Sequence, residues 1–140
     1  MSFKIKDPGS ALTHFIAMLS ALFAATPLLI KAARTPGLNH VLALAVFIIS
    51  MILLYAASTI YHTLDISPKV NQILRKVDHM MIFILIAGTY TPVCMVVLGD
   101  RTGWMLLALV WSIAAAGITI NALWITCPKW FSSLVYIAMG

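Results

Sequence analysis

The sequence predicts an all-α membrane protein, a multi-span helical bundle with four complete transmembrane helices and a truncated fifth. Three observations carry that prediction. Apolar side chains make up 62% of the 140 residues and charged ones only 9%, against roughly 45–50% and about 25% in soluble domains. The nine basic and four acidic side chains fall in short clusters. The stretches between those clusters, 8–30, 35–64, 79–99 and 102–128, can each hold the ~20 apolar residues that a helix needs to cross about 30 Å of hydrocarbon. A mean hydropathy of +1.02 leaves no soluble core large enough to hide this surface.

The spans are expected over 11–30, 41–62, 79–98 and 104–125, with a fifth apolar stretch over 131–140, all in one integral membrane domain. Asp7-Pro8-Gly9-Ser10 starts the first helix, with Ser10 or Asp7 able to cap its free amides. Pro27 lies near the far end of that span, where neighbouring helices can satisfy the freed carbonyl. Arg34-Thr35-Pro36-Gly37 turns the chain into the second span. Thr63–Val77 reads as a basic loop in which Ile73-Leu74 starts a short interfacial helix. Gly99–Gly103 reads as a plain turn. Trp104 and Trp124 stand near the two ends of the fourth span, as interfacial anchors do. Phe131–Gly140 is apolar with no cap or polar tail. A span that stopped in mid-bilayer would leave its carbonyls unsatisfied, so the sequence reads as cut within its fifth helix.

The net charge of +5 does not indicate nucleic acid, because the basic residues sit in separate short loops. Lys4, Lys6, Lys69, Arg75, Lys76 and Lys129 fall on one side of the predicted topology, and Lys31, Arg34 and Arg101 on the other. The positive-inside rule therefore puts the N-terminus in the cytoplasm. No segment has the short apolar core and small-residue cleavage site of a signal peptide. Cys94 and Cys127 lie far apart in apolar surroundings and read as inert thiols.

One corner of this apolar chain is polar. Ser58, Tyr61 and His62 close the second span, and Asp78-His79 open the third, sixteen residues after His62. Lipid penalises ionisable side chains enough that such a cluster reads as functional. Ser58 and His62 are spaced i,i+4 and share a helical face. An imidazole there can ligate a transition metal or move protons near neutral pH, or simply bond a lipid headgroup. Asp78 has two readings, a helix N-terminal cap and a site carboxylate. His79 diverges from Asp78 by about 100° on a helix, which favours Asp78 alone for the site. His14, near the start of the first span, can approach the same corner, whereas His40 begins the second span on the opposite side and reads as a surface residue. Gly88 suits close helix packing, Thr89, Tyr90 and Thr91 suit interhelical hydrogen bonds, and Asn121 suits polar glue in the fourth span.

Leu54-Tyr55-Ala56-Ala57-Ser58-Thr59-Ile60-Tyr61-His62 resembles the Ser-x-x-x-His second-helix motif of the bacterial hemolysin III family, relatives of the progestin and adiponectin receptors. The run from Leu74-Arg75-Lys76-Val77-Asp78-His79 to Ala87-Gly88-Thr89-Tyr90-Thr91-Pro92 resembles that family's third-helix signature. Asp7-Pro8 and Leu12-Thr13-His14 fit its first helix, with Asp7 and Ser10 where Glu and Asn are commoner, and Gly103-Trp104, Trp111 and Gly117 fit its fourth.

The resemblance implies the N-terminal two-thirds of a seven-helix bundle in the bacterial plasma membrane, with zinc on the cytoplasmic side. It implies His62 as a metal ligand, Asp78 as holder of the zinc-bound water, and Ser58 beside it. The family's remaining ligands form a His-x-x-x-His pair on the seventh helix, and no such pair occurs in these 140 residues. Such chemistry suits hydrolysis of a lipid amide or ester, with membrane lipids as partners and Asp78 and Ser58 as the catalytic pair. Two other readings stand beside it. The family name suggests a cytolysin or pore, although spans two to four lack the repeated polar positions that line one. A receptor-like or structural protein would use the metal only to lock helices together.

Overall fold

A computed structural model describes residues 5–123 and 129–139. These residues are helical almost throughout. α1 covers Pro8–Ala33, α2 Leu38–Thr63, α3 Pro68–Pro92, α4 Arg101–Leu123 and α5 Lys129–Met139, with a π-helical segment at Val93–Leu98 continuing α3. Four of these helices are long and apolar enough to cross a membrane, the third including the π segment.

Each helix lies against the next, and α5 also touches α3. α1 rests on α2 alone among the described helices. It buries only Ala11 and Ala21, and turns Leu12, Phe15, Ile16, Leu22 and Phe23 outward. Such outward apolar side chains suit contact with hydrocarbon, which costs them nothing. Pro27 stays inside α1 without ending it.

The connection from α2 to α3 departs from the sequence expectation. In place of a loop over Thr63–Val77, only four residues separate the helices, and α3 is continuous from Pro68. Ser67 caps it, its hydroxyl accepting from the Val70 amide at 3.3 Å. Pro68 holds a first-turn position where its missing donor costs nothing. Asn71 pins the loop by donating to Asp65 at 2.7 Å and accepting from the Ile66 amide at 3.3 Å. Asp78 therefore lies about 15 Å into the helix at 1.5 Å per residue, and it caps nothing.

Glycines let α3 sit close to both neighbours. A Cβ at Gly88 would lie 2.1 Å from the Ser50 hydroxyl of α2, and one at Gly117 of α4 would lie 2.5 Å from the Phe83 ring. Phe83 is fully buried, with Ala87, Val110, Ala114 and Met139 completing the core cluster. Pro92 cannot donate within the helix, and the wider π turns follow it. Gly99 closes them at φ 59°, its amide bonded to the Cys94 carbonyl at 3.1 Å. Asp100 then caps α4, its side chain accepting from the Gly103 amide at 2.9 Å. The expected plain turn is thus a π ending followed by a cap.

Among the three residues expected to bond between helices, Thr89 and Thr91 donate back to Ile86 and Ala87 within α3. Thr91 alone of the pair also crosses, accepting from Trp111 Nε1 at 3.2 Å. Asn121 is buried and donates to the Gly117 carbonyl at 3.1 Å. Cys94 is a buried free thiol. Cys127, Trp124 and the predicted end of the fourth span lie outside the described residues.

Candidate functional site

α1 and α2 form a hairpin, so the start of α1 meets the end of α2. The last carbonyls of α2 have no partner within their own helix. They are taken by the chain leading into α1, with the Asp7 amide bonded to the His62 carbonyl at 2.9 Å and the Lys6 amide to the Thr63 carbonyl at 3.4 Å. Lys6 also places its ammonium 3.7 Å from the centre of the Tyr61 ring. This backbone latch sets the register of the two helices.

In that register, Asp7 and His14 of α1 face His62 and Ser58 of α2. The Asp7 carboxylate pairs with His62 Nδ1 at 3.1 Å, and His14 Nδ1 meets the Ser58 hydroxyl at 2.5 Å. Asp7 occupies the N-cap position of α1, but its side chain makes no capping bond. The carboxylate goes to the imidazole instead. The two rings lie edge to face with centres 5.4 Å apart, and Tyr61 packs on His62 at 4.8 Å.

α3 brings in Asp78, buried to 8% exposure, against Ser58, buried to 4%. Its carboxylate lies near the Ser58 hydroxyl and within electrostatic reach of His62 and His79. A carboxylate only accepts, and a hydroxyl has one proton. The Ser58 proton can go to His14 Nδ1, or His14 can donate to Ser58, according to which ring nitrogen of His14 is protonated. His79 Nδ1 stands 3.4 Å from the Asp78 carboxylate. The 100° divergence expected to separate these neighbours does not keep their side chains apart. Tyr136 of α5 donates to the His79 carbonyl at 2.9 Å, fixing this stretch of α3 from behind.

The structure thus brings Ser58, His62 and Asp78 to one corner and adds Asp7 and His14 from α1. Asp7 was missed in the sequence because its place before Pro8 reads as a cap. Its spacing of seven from His14 was the available signal, since seven residues are two helical turns. His40 is not the surface residue expected. It is half buried at the other end of α2, and its Nδ1 has no partner among the described residues.

For a metal, the donor set is partial. With its Nδ1 proton held by a carboxylate, His62 keeps Nε2 for an ion, the arrangement usual for metal-binding imidazoles. Asp78 is one helix away. No group of three or more His, Cys, Asp or Glu able to hold a metal occurs among the described residues, whereas zinc usually takes three or four protein ligands.

The family model described as "Haemolysin-III related" matches residues 3–140. The chain belongs to the haemolysin III family. It is 36% identical over 135 residues to Hemolysin-3 of Bacillus cereus, covering 96% of this chain and 61% of that protein. It is 37% identical over 139 residues to a Hemolysin-3 homolog of Bacillus subtilis (strain 168), covering 99% of this chain and 65% of that one. The chain therefore spans less than two-thirds of the length of these haemolysin III relatives. No solved structure matches it significantly.

Proposed function

We propose that this haemolysin III chain supplies the polar corner of a zinc-dependent hydrolase acting on a lipid amide or ester at the cytoplasmic interface. The carrying observation is the Asp7–His62 pair beside the buried Ser58 and Asp78. It joins an imidazole oriented as a ligand to a buried carboxylate near a hydroxyl, at one end of an otherwise apolar bundle. Ionisable groups buried this way in a membrane helix are costly, and structure alone gives no return for Asp78, which caps nothing.

In this reading His62 binds the ion through Nε2, with further donors from outside the described residues. Zinc, when bound, supplies Lewis acidity and lowers the pKa of water toward neutrality. Asp78 accepts the proton of the attacking water. Ser58, beside Asp78, can turn its hydroxyl to a carbonyl oxygen as negative charge develops there. The basic residues near this corner favour the cytoplasmic side. The exposed apolar surface of α1 and α2 gives a lipid substrate a route that never leaves the membrane.

Hydrolysis of a panel of long-chain amides and esters in mixed micelles tests the reading. Wild-type protein loaded with zinc is expected to release fatty acid, and Asp78→Asn to retain zinc yet lose turnover. Absence of hydrolysis across the panel by zinc-loaded wild-type protein would sink it.

A further inference from the structure

Two side chains of α1 touch the corner only through α2. Asp7 is the N-cap residue of α1 and His14 lies on its second turn, and their partners His62 and Ser58 are one turn apart on the antiparallel α2. Each contact ends on Nδ1 of a histidine, and the contact with Asp7 has a defined direction. Asp7 can only accept, so His62 carries its proton on Nδ1.

We propose that α1 is the orienting element of the site. Asp7 is a positioning residue that fixes His62 with Nε2 free, and His14 is a positioning residue that holds the Ser58 side chain in place. The inference rests on the reading of this corner as a metal-dependent site, but its geometry can be read without any metal. Exposure supports orientation over stability as the purpose of the Asp7 contact. The Asp7 side chain is 58% exposed, and exposed ion pairs contribute little to folding. The backbone latch from Lys6 and Asp7 to the end of α2 holds the hairpin whatever side chain stands at position 7. α1 touches no helix but α2 among the described ones, so it reaches Asp78 by way of α2.

Nitrogen NMR of the full-length protein with labelled histidine, at a pH where the rings are neutral, reads the tautomers directly. Wild type is expected to show Nδ1-protonated His62. Asp7→Ala is expected to release His62 and leave His14 unchanged, Asp7→Glu to restore His62, and Ser58→Ala to release His14 alone. Titration with zinc alone is expected to be about 10- to 100-fold weaker in Asp7→Ala, with helix content unchanged in circular dichroism. An Nε2-protonated His62 in wild type, or a His62 signal indifferent to Asp7→Ala, would overturn the proposal. If the tautomers follow the substitutions while wild type takes up no zinc, α1 orients the corner as proposed and the zinc-hydrolase reading fails by itself.

Discussion

Phe83 on α3 packs against the bare backbone of Gly117 on α4, so close that a Cβ at position 117 would sit 2.5 Å from the ring. The ring is fully buried and packs against Tyr136 of α5, with ring centres 4.6 Å apart and planes tilted by 56°. Asp78 is little more than one turn before Phe83 on the same helix, so this contact anchors the element that presents the carboxylate. Gly117→Ala is expected to force Phe83 aside at a cost of about 1–3 kcal/mol. Thermal denaturation in detergent measures it, and an unchanged midpoint would count against this account of the α3–α4 contact.

On the other flank of α3, Gly88 accommodates Ser50 of α2. A methyl group at position 88 would meet both the Ser50 hydroxyl and its Cβ, at 2.1 and 2.8 Å. Gly88→Ala is expected to cost about 1–3 kcal/mol. Exchanging the small residue, Gly88→Ala with Ser50→Gly, should recover part of the loss because the colliding atoms are gone. A double substitution no better than Gly88→Ala alone would show that the strain lies elsewhere.

The Trp111–Thr91 hydrogen bond, at 3.2 Å, is the described side-chain bond between α3 and α4. Such bonds contribute about 0.6 kcal/mol on average inside membranes, because the unfolded chain also finds partners there. A double-mutant cycle with Trp111→Phe and Thr91→Val is expected to return a coupling of that order. A coupling above about 2 kcal/mol would mark this pair as a principal clamp of the bundle, contrary to the central place given to Phe83 and the glycines.

The spans were legible because hydrocarbon imposes a length and bars charge, and both marks are written in the positions of Lys, Arg and Asp. The start of α3 was not. Its Lys69, Arg75 and Lys76 read as a loop, although Ser67-Pro68 is a helix start and Val70, Ile73, Leu74 and Val77 keep helical spacing. That misreading placed Asp78 at a helix end and gave it a capping role. Ser58 and His62 could be paired from their i,i+4 spacing, and His14 could be brought near them from topology alone. The Asp7–His62 pair needed the register of the α1–α2 hairpin, which the backbone bonds of Lys6 and Asp7 set and which no local pattern encodes. Thr89 shows the same limit. Its type suits an interhelical bond, but its outward direction returns the hydroxyl to Ile86.

The central claim is that His62 binds zinc for a reaction served by Asp78 and Ser58. The most direct measurement is zinc content and lipid-amide or ester turnover of the full-length protein, wild type against His62→Ala. The wild type is expected to hold zinc in stoichiometric amount and to turn over, and His62→Ala to lose both while keeping its helices. Turnover that survives intact in His62→Ala would contradict the account.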